Sequence, residues 1–97
     1  MRIRWLRRCD EDIEAAFDWL AERNLDAAWE LLARLRKRAL SDLAAYPEIG
    51  RSGRVSGTRE LVVPGTSYLL VYRIRPEEIQ ILRVLHGRQQ WPPRIGT

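Results

Sequence analysis

The stretch from Thr58 to Trp91, TRELVVPGTSYLLVYRIRPEEIQILRVLHGRQQW, constrains this chain more than any other. It reads as three consecutive β-strands separated by two tight connections, Pro64-Gly65-Thr66-Ser67 and Arg75-Pro76-Glu77-Glu78. Pro64-Gly65 suits a type II turn, in which Gly takes the position of positive φ. Pro76 suits the first corner of a type I turn. The only histidine and five arginines lie within the stretch. An even-numbered second loop makes paired residue numbers sum to 153, so Ile74 faces Ile79, Arg73 faces Gln80 and Leu69 faces Val84.

Alternation then divides the meander into two faces. Tyr68, Leu70, Tyr72, Ile74, Ile79, Ile81 and Leu85 form an apolar face, to be packed on helices. Arg83 is its odd member and needs an edge or a partner. The opposite face carries Leu69, Val71, Arg73, Arg75, Gln80, Leu82, Val84 and His86. This mixture of apolar and polar residues suggests an open binding surface for a protein segment.

Upstream, Arg2–Leu6 alternates and reads as a short strand. A helix is expected from Cys9 or Asp10, with Ile13, Ala16, Phe17 and Leu20 as its apolar stripe. Its acidic first turns complement the helix dipole. It should end near Arg23-Asn24, with Asn24 as a left-handed cap. A second helix should begin with Asp26 as N-cap and bury Ala28, Leu31, Leu32, Leu35, Ala39, Leu43 and Tyr46. Pro47 ends it. The short link predicts an antiparallel helix hairpin. Glu48–Gly57, EIGRSGRVSG, reads as a mobile loop with Arg51 and Arg54 solvated. The expected fold is α+β, a single domain over residues 1–97: an N-terminal strand, a helix hairpin and a three-stranded antiparallel meander.

Charge is divided unevenly. Residues 1–46 hold nine basic and nine acidic side chains, and residues 47–97 hold eight and four, so the net +4 lies on the strand half. All eight of those basic residues are Arg, whose planar fork suits phosphates and carboxylates. The implied partner is acidic: nucleic acid, a protein surface, or both. On the second helix, the run from Arg34 to Arg38 spreads around the exterior and reads as a solvated face. The N-terminus has no apolar signal core, no run is long enough to span a membrane, and a cytoplasmic location is expected. Cys9 is alone and reads as a small buried residue.

The order of these features resembles the RelE/ParE toxin superfamily of type II toxin–antitoxin modules, and its ParE-like branch in particular. The residues that carry the likeness are the Pro47-x-x-Gly50 loop, Arg59-Glu60-Leu61, Tyr68-Leu69-Leu70-Val71-Tyr72-Arg73, Ile81 through Arg88, and Trp91-Pro92. The resemblance implies the small toxin fold and a cognate antitoxin whose C-terminal segment wraps it, with no cofactor and no metal. ParE-like members bind DNA gyrase and trap its cleaved DNA complex. RelE-like members cut mRNA on the ribosome, which needs a base, an acid and cations for the phosphorane.

Under that RNase alternative the candidates are His86 and Glu60 as acid or base, with Arg73 and Arg83, joined by Arg59 and Arg88, as phosphate ligands. RNA-cutting relatives place a basic residue before the Leu-Val-Tyr of the central strand, where this chain has Leu69. The lysines of another RNase branch are also missing. The ParE-like reading therefore leads, with Leu69, Val71, Arg73, Gln80, Leu82, His86, Arg88 and Trp91 as partner-binding candidates. A detoxified member that acts only with its antitoxin, as a DNA-binding repressor complex, is a third reading. The structural alternatives are a strand-end His86 bonded to the tail, Glu60 paired with a neighbouring Arg, Trp91 covering the core, and Trp19 and Trp29 packed between helices or lining an antitoxin groove.

Overall fold

A computed structural model describes residues 1–92 and 95. Strand β1 (Arg2–Trp5) runs directly into helix α1 (Arg7–Ala21), which starts two to three residues earlier than its acidic turn suggested. Leu6 makes the junction. Its N–H still donates to the Ile81 carbonyl at 3.0 Å, while its own carbonyl accepts the first helical bond, from Asp10. Helix α2 (Leu25–Lys37) follows after a three-residue link. Asn24 caps the start of α2 rather than the end of α1: its φ is −159°, and its side chain accepts from the Ala27 N–H at 3.1 Å. Asp26, expected as the cap, lies one residue inside the helix, where its charge still favours the N-terminal dipole.

The buried stripe of α2 is Ala28, Leu31, Leu35, Ala39 and Leu43. Three successive steps of four residues drift about 40° each around a 3.6-residue helix. The chain absorbs that drift by widening into a π-helical segment over Arg38–Leu43, which keeps Ala39 and Leu43 wholly buried. Arg38 braces the segment, donating to Asp42 and to the Val62 carbonyl, each at 3.0 Å. Two more helical residues follow before Pro47.

The sheet has five strands in the order β1-β5-β4-β3-β2, with β2 at Arg51–Ser52, β3 at Arg59–Val62, β4 at Tyr68–Ile74 and β5 at Glu78–His86. β1 pairs parallel with β5 and the other pairs are antiparallel. The two-residue β2 lies inside the segment expected to be a loop. Gly65 has φ of +77° and Thr66 N–H bonds the Val63 carbonyl, as a type II turn requires. In the second hairpin Ile74 faces Ile79 and Arg73 faces Gln80, as the even loop predicts.

A β-bulge between Val71 and Tyr72 then shifts the register by one, so Leu69 faces Leu85 instead of Val84. An extra residue flips every later side chain to the other face. Val84 joins Leu70, Tyr72, Ile79 and Ile81 in the core beneath the helices, and Leu85 leaves it.

Cys9 is fully buried at the start of α1. Burial, then the nearby Asp10 and Asp12 carboxylates, push its thiol from 9.0 up to about 12. The thiol should therefore resist a disulfide reagent at pH 8 in the native protein and react only after unfolding. Below pH 9 it is protonated in both states. Between about 9 and 12 the unfolded thiol ionises while the native one does not, so stability falls with rising pH in that window. Rapid native-state labelling at pH 8 would contradict this placement.

Candidate functional site

A groove of about 690 Å³ opens where the helix hairpin meets the Gly65–Tyr68 turn and the end of β5. Its apolar wall comes from Ala16, Trp19 and Leu20 on α1, Leu31 on α2, and Tyr68 and Val84 on the sheet. The one-residue bulge is what turns Val84 toward it. Trp19 is 55% exposed, with the Arg23 guanidinium stacked 3.7 Å from its ring centre. Trp29 is also exposed, and touches Phe17 edge-on at 4.9 Å. Neither tryptophan is sealed between the helices.

Polar groups rim the groove. Arg34 donates to the Pro64 carbonyl at 2.8 Å and to Glu30 at 2.6 Å, tying α2 to the β3–β4 turn. Asp12 receives a two-pronged bond from Arg83, at 2.7 and 2.9 Å, and a third from the Val84 N–H at 3.0 Å. The Asp12 hydrogen bonds raise the Arg83 pKa further. Arg83 thus lies where β1 no longer covers β5, and it has the partner its position demanded.

His86 sits on this helix-facing side, not beside Leu69. Its ring meets Tyr68 edge-on at 5.4 Å. Its Nδ1 accepts from the Arg88 N–H at 3.1 Å, and its own N–H donates to the Gln89 Oε1 at 2.7 Å. This is the strand-end role, with bonds to the tail.

The opposite face is not open. Leu69, Val71 and Leu82, expected to meet a partner there, are at most 6% exposed. Strands that are apolar on both faces are buried on both. Glu60, paired with Val71, shares this second face. Its side chain is 1% exposed and is met by Arg51 at 3.1 Å, Arg54 at 3.6 Å and the Arg54 N–H at 2.7 Å. The Arg54 guanidinium in turn stacks 3.7 Å from the centre of the half-buried Trp91 ring. Arg54 therefore links Glu60 to the C-terminal segment and brings Trp91 to this side. The Trp91 Nε1 is buried with no hydrogen-bond partner among the described residues. Arg51 and Arg54 are exposed, as expected, and each also pairs with Glu60. Arg59 does not pair with Glu60; it donates to the Glu48 and Gly50 carbonyls.

The structure consequently scatters the nuclease candidates. Glu60 and His86 point to opposite faces, Arg83 is committed to Asp12, and Arg73 bonds Gln80 at 2.7 Å near the other end of the hairpin. Arg73 and Gln80 remain on the second face, while Arg88 is exposed beyond β5. Among the described residues no three His, Cys, Asp or Glu side chains gather as a metal site, and no helix is long and apolar enough to cross a membrane. Asp12, Arg34 and Tyr68 were not among the candidates read from sequence. Leu31, Trp19 and Leu20 carried the available signal, an apolar stripe facing the sheet end.

The class these features define is a small α+β protein with a helix hairpin on one side of a mixed five-stranded sheet. Residues 3–91 match the model of the ParE toxin of the type II toxin–antitoxin system parDE, and the chain belongs to that family. It is 40% identical over 91 residues to Y4kP of Sinorhizobium fredii (strain NBRC 101917 / NGR234), described as a candidate toxin, covering 94% of this chain and 93% of that one. It is also similar to a solved structure described as the chromosomal ParDE TA system from P. aeruginosa. That likeness has a TM-score of 0.70 and 25% identity, and covers 89% of this chain and 95% of the other.

Proposed function

We propose that this toxin inhibits DNA gyrase by binding it, and that a cognate antitoxin neutralises it through a segment seated in the groove between the helix hairpin and the end of β5. Family membership and the similarity to a ParDE system support the module. The observation that carries binding over catalysis is the separation of Glu60 from His86 on opposite faces of the sheet. A general acid and base must reach the same reacting group, and neither side chain can cross the sheet to do so. Leu69 adds to this: where RNA-cutting relatives have a cation, this chain has a buried leucine.

The groove suits an amphipathic segment. It has an apolar wall, an exposed aromatic anchor in Trp19 and a rim of charges, the composition of an interface hot spot.

Purified toxin incubated with gyrase and relaxed plasmid should block supercoiling and accumulate cleaved DNA complex. Unchanged supercoiling, together with codon-dependent mRNA cleavage in a ribosome toeprint, would replace this reading with the RNase one.

A further inference from the structure

At the end of the β4–β5 hairpin remote from the groove, the second face of the sheet carries four arginines on neighbouring strands. Arg2 and Arg4 lie on β1, Arg73 is on β4 and Arg75 just follows it, with β5 between. Strand spacing makes the patch about 10 Å wide. One polar network joins Arg2, Arg4 and Arg73. Arg2 and Arg4 each reach Glu78 at 3.4 Å. Gln80 donates to Glu78 at 2.6 Å and accepts from Arg73 at 2.7 Å. Among the described residues, Glu78 is the sole carboxylate that any of the four meets as an ion pair; Glu77 lies beside it in the turn. Four guanidinium charges thus lie around one ion-paired carboxylate, which Arg2 and Arg4 alone of the four touch. Burial, then repulsion from Arg75, lowers the Arg73 pKa, as expected of a cation bonded only to a neutral amide.

We propose that Arg2, Arg4, Arg73 and Arg75 form a phosphate-backbone site for duplex DNA, through which the toxin touches the DNA held by its target. The proposal builds on the gyrase reading. Two observations favour DNA over an acidic protein. The exposed large apolar residues near this end, Met1, Tyr46, Ile49 and Ile74, gather in a separate hollow that none of the four arginines lines, whereas protein hot spots are built around such anchors. The patch also lies at the opposite end of β4 from the groove, about 20 Å away along the strand, out of reach of a short segment seated there. A polar, Arg-rich surface with no apolar centre is what sequence-independent backbone binding requires.

The test is binding of the purified chain to a fluorescent 20-base-pair duplex across a salt series. Three to four phosphate contacts give a slope of about −3 in log K against log salt. An Arg73→Gln/Arg75→Gln variant should lower that slope by roughly two units and weaken low-salt binding at least about tenfold. An Arg8→Gln/Arg36→Gln variant removes equal charge from the helices and should change affinity less than about threefold. Circular dichroism confirms that each variant is folded, and an Arg2→Gln/Arg4→Gln variant repeats the test on β1. Equal losses in patch and helix variants would overturn the site, as would tighter binding of poly-glutamate or of single-stranded RNA than of the duplex. Supercoiling assays on the same preparations separate the two claims. Gyrase inhibition without duplex binding overturns the patch alone. Patch-dependent duplex binding without gyrase inhibition supports the patch and removes the gyrase reading.

Discussion

Replacing Asp12 with Ala should cost about 3–5 kcal/mol of stability, the range for breaking a buried ion pair by removing one partner. Asp12 and Arg83 are 16% and 12% exposed at their side chains, and the carboxylate also holds the Val84 N–H. Its loss leaves the guanidinium largely out of water with no anion, and a backbone donor unpaired. For a domain of this size that is a fall in melting temperature on the order of 15–25 °C. Since total stabilities run about 5–15 kcal/mol, the variant should populate the unfolded state measurably at 37 °C, as read by urea titration or calorimetry. The double variant Asp12→Ala/Arg83→Met should recover a large part of the loss, because it removes the stranded charge along with its partner. A single variant within about 1 kcal/mol of the parent, or a double variant worse than the single, would show that the pair does not hold α1 to β5. The functional consequence is local. Asp12 lines the groove, and its bond to Val84 fixes the strand end that forms the groove's sheet wall.

The pair also shows how far the sequence could be read. Up to Ile81 the hairpin follows simple parity, because a two-residue loop leaves the register no freedom. Beyond it the bulge reverses the faces, and Val84, Leu85 and His86 exchange roles. The signal was present. Arg83 stood alone in an otherwise apolar face, and Leu82, Val84 and Leu85 are apolar without strict alternation. A charge in the core is the cost of unbroken pleating, and one extra residue removes it. The second face was misread for a different reason. Apolar residues on both sides of β4 and β5 indicate burial on both sides, and here the covering segments are irregular loop and tail, which carry no periodicity to read. The Arg54 link between Glu60 and Trp91 is long-range in sequence and depends on where the loop folds back. Asn24 illustrates a local ambiguity: the same side chain that could end α1 instead accepts a free N–H from the first turn of α2, that of Ala27. The π-helical segment was legible in principle, since Leu31, Leu35, Ala39 and Leu43 are spaced at four residues throughout.

Tyr72→Ala should be as damaging as Asp12→Ala, about 3–5 kcal/mol, as for any large buried aromatic truncated in a core. Tyr72 is wholly buried, but its ring is only part of the reason. The hydroxyl accepts from the Gly50 N–H at 2.9 Å and donates to the Pro47 carbonyl at 2.7 Å. It therefore clasps both ends of the Pro47–Gly50 turn, the segment that carries the chain from the helices to β2. Gly50 is required by this clasp. A Cβ there would lie 2.7 Å from the Tyr72 hydroxyl oxygen and 2.9 Å from the Glu60 carbonyl oxygen. Tyr72→Phe keeps the packing and strands two backbone groups, so it should cost about 1–3 kcal/mol. Gly50→Ala should cost a similar amount by pushing on the clasp while Tyr72 itself is kept. Urea unfolding of the three variants checks the order, and Tyr72→Phe indistinguishable from the parent would remove the clasp. The pH dependence gives an independent check. Burial, the largest influence, raises the Tyr72 hydroxyl above its ordinary 10.0. Above pH 10 the unfolded phenol ionises before the native one, so this group's stabilisation is complete below 10 and is lost as pH climbs through the native value. Tyr72→Phe should flatten that part of the alkaline decline, while the earlier share arising from Cys9 persists. The same clasp sets the position of Arg51, one residue beyond Gly50, and through it a cationic partner of buried Glu60. A loosened turn should therefore expose Glu60 and the second sheet face before it disturbs the groove.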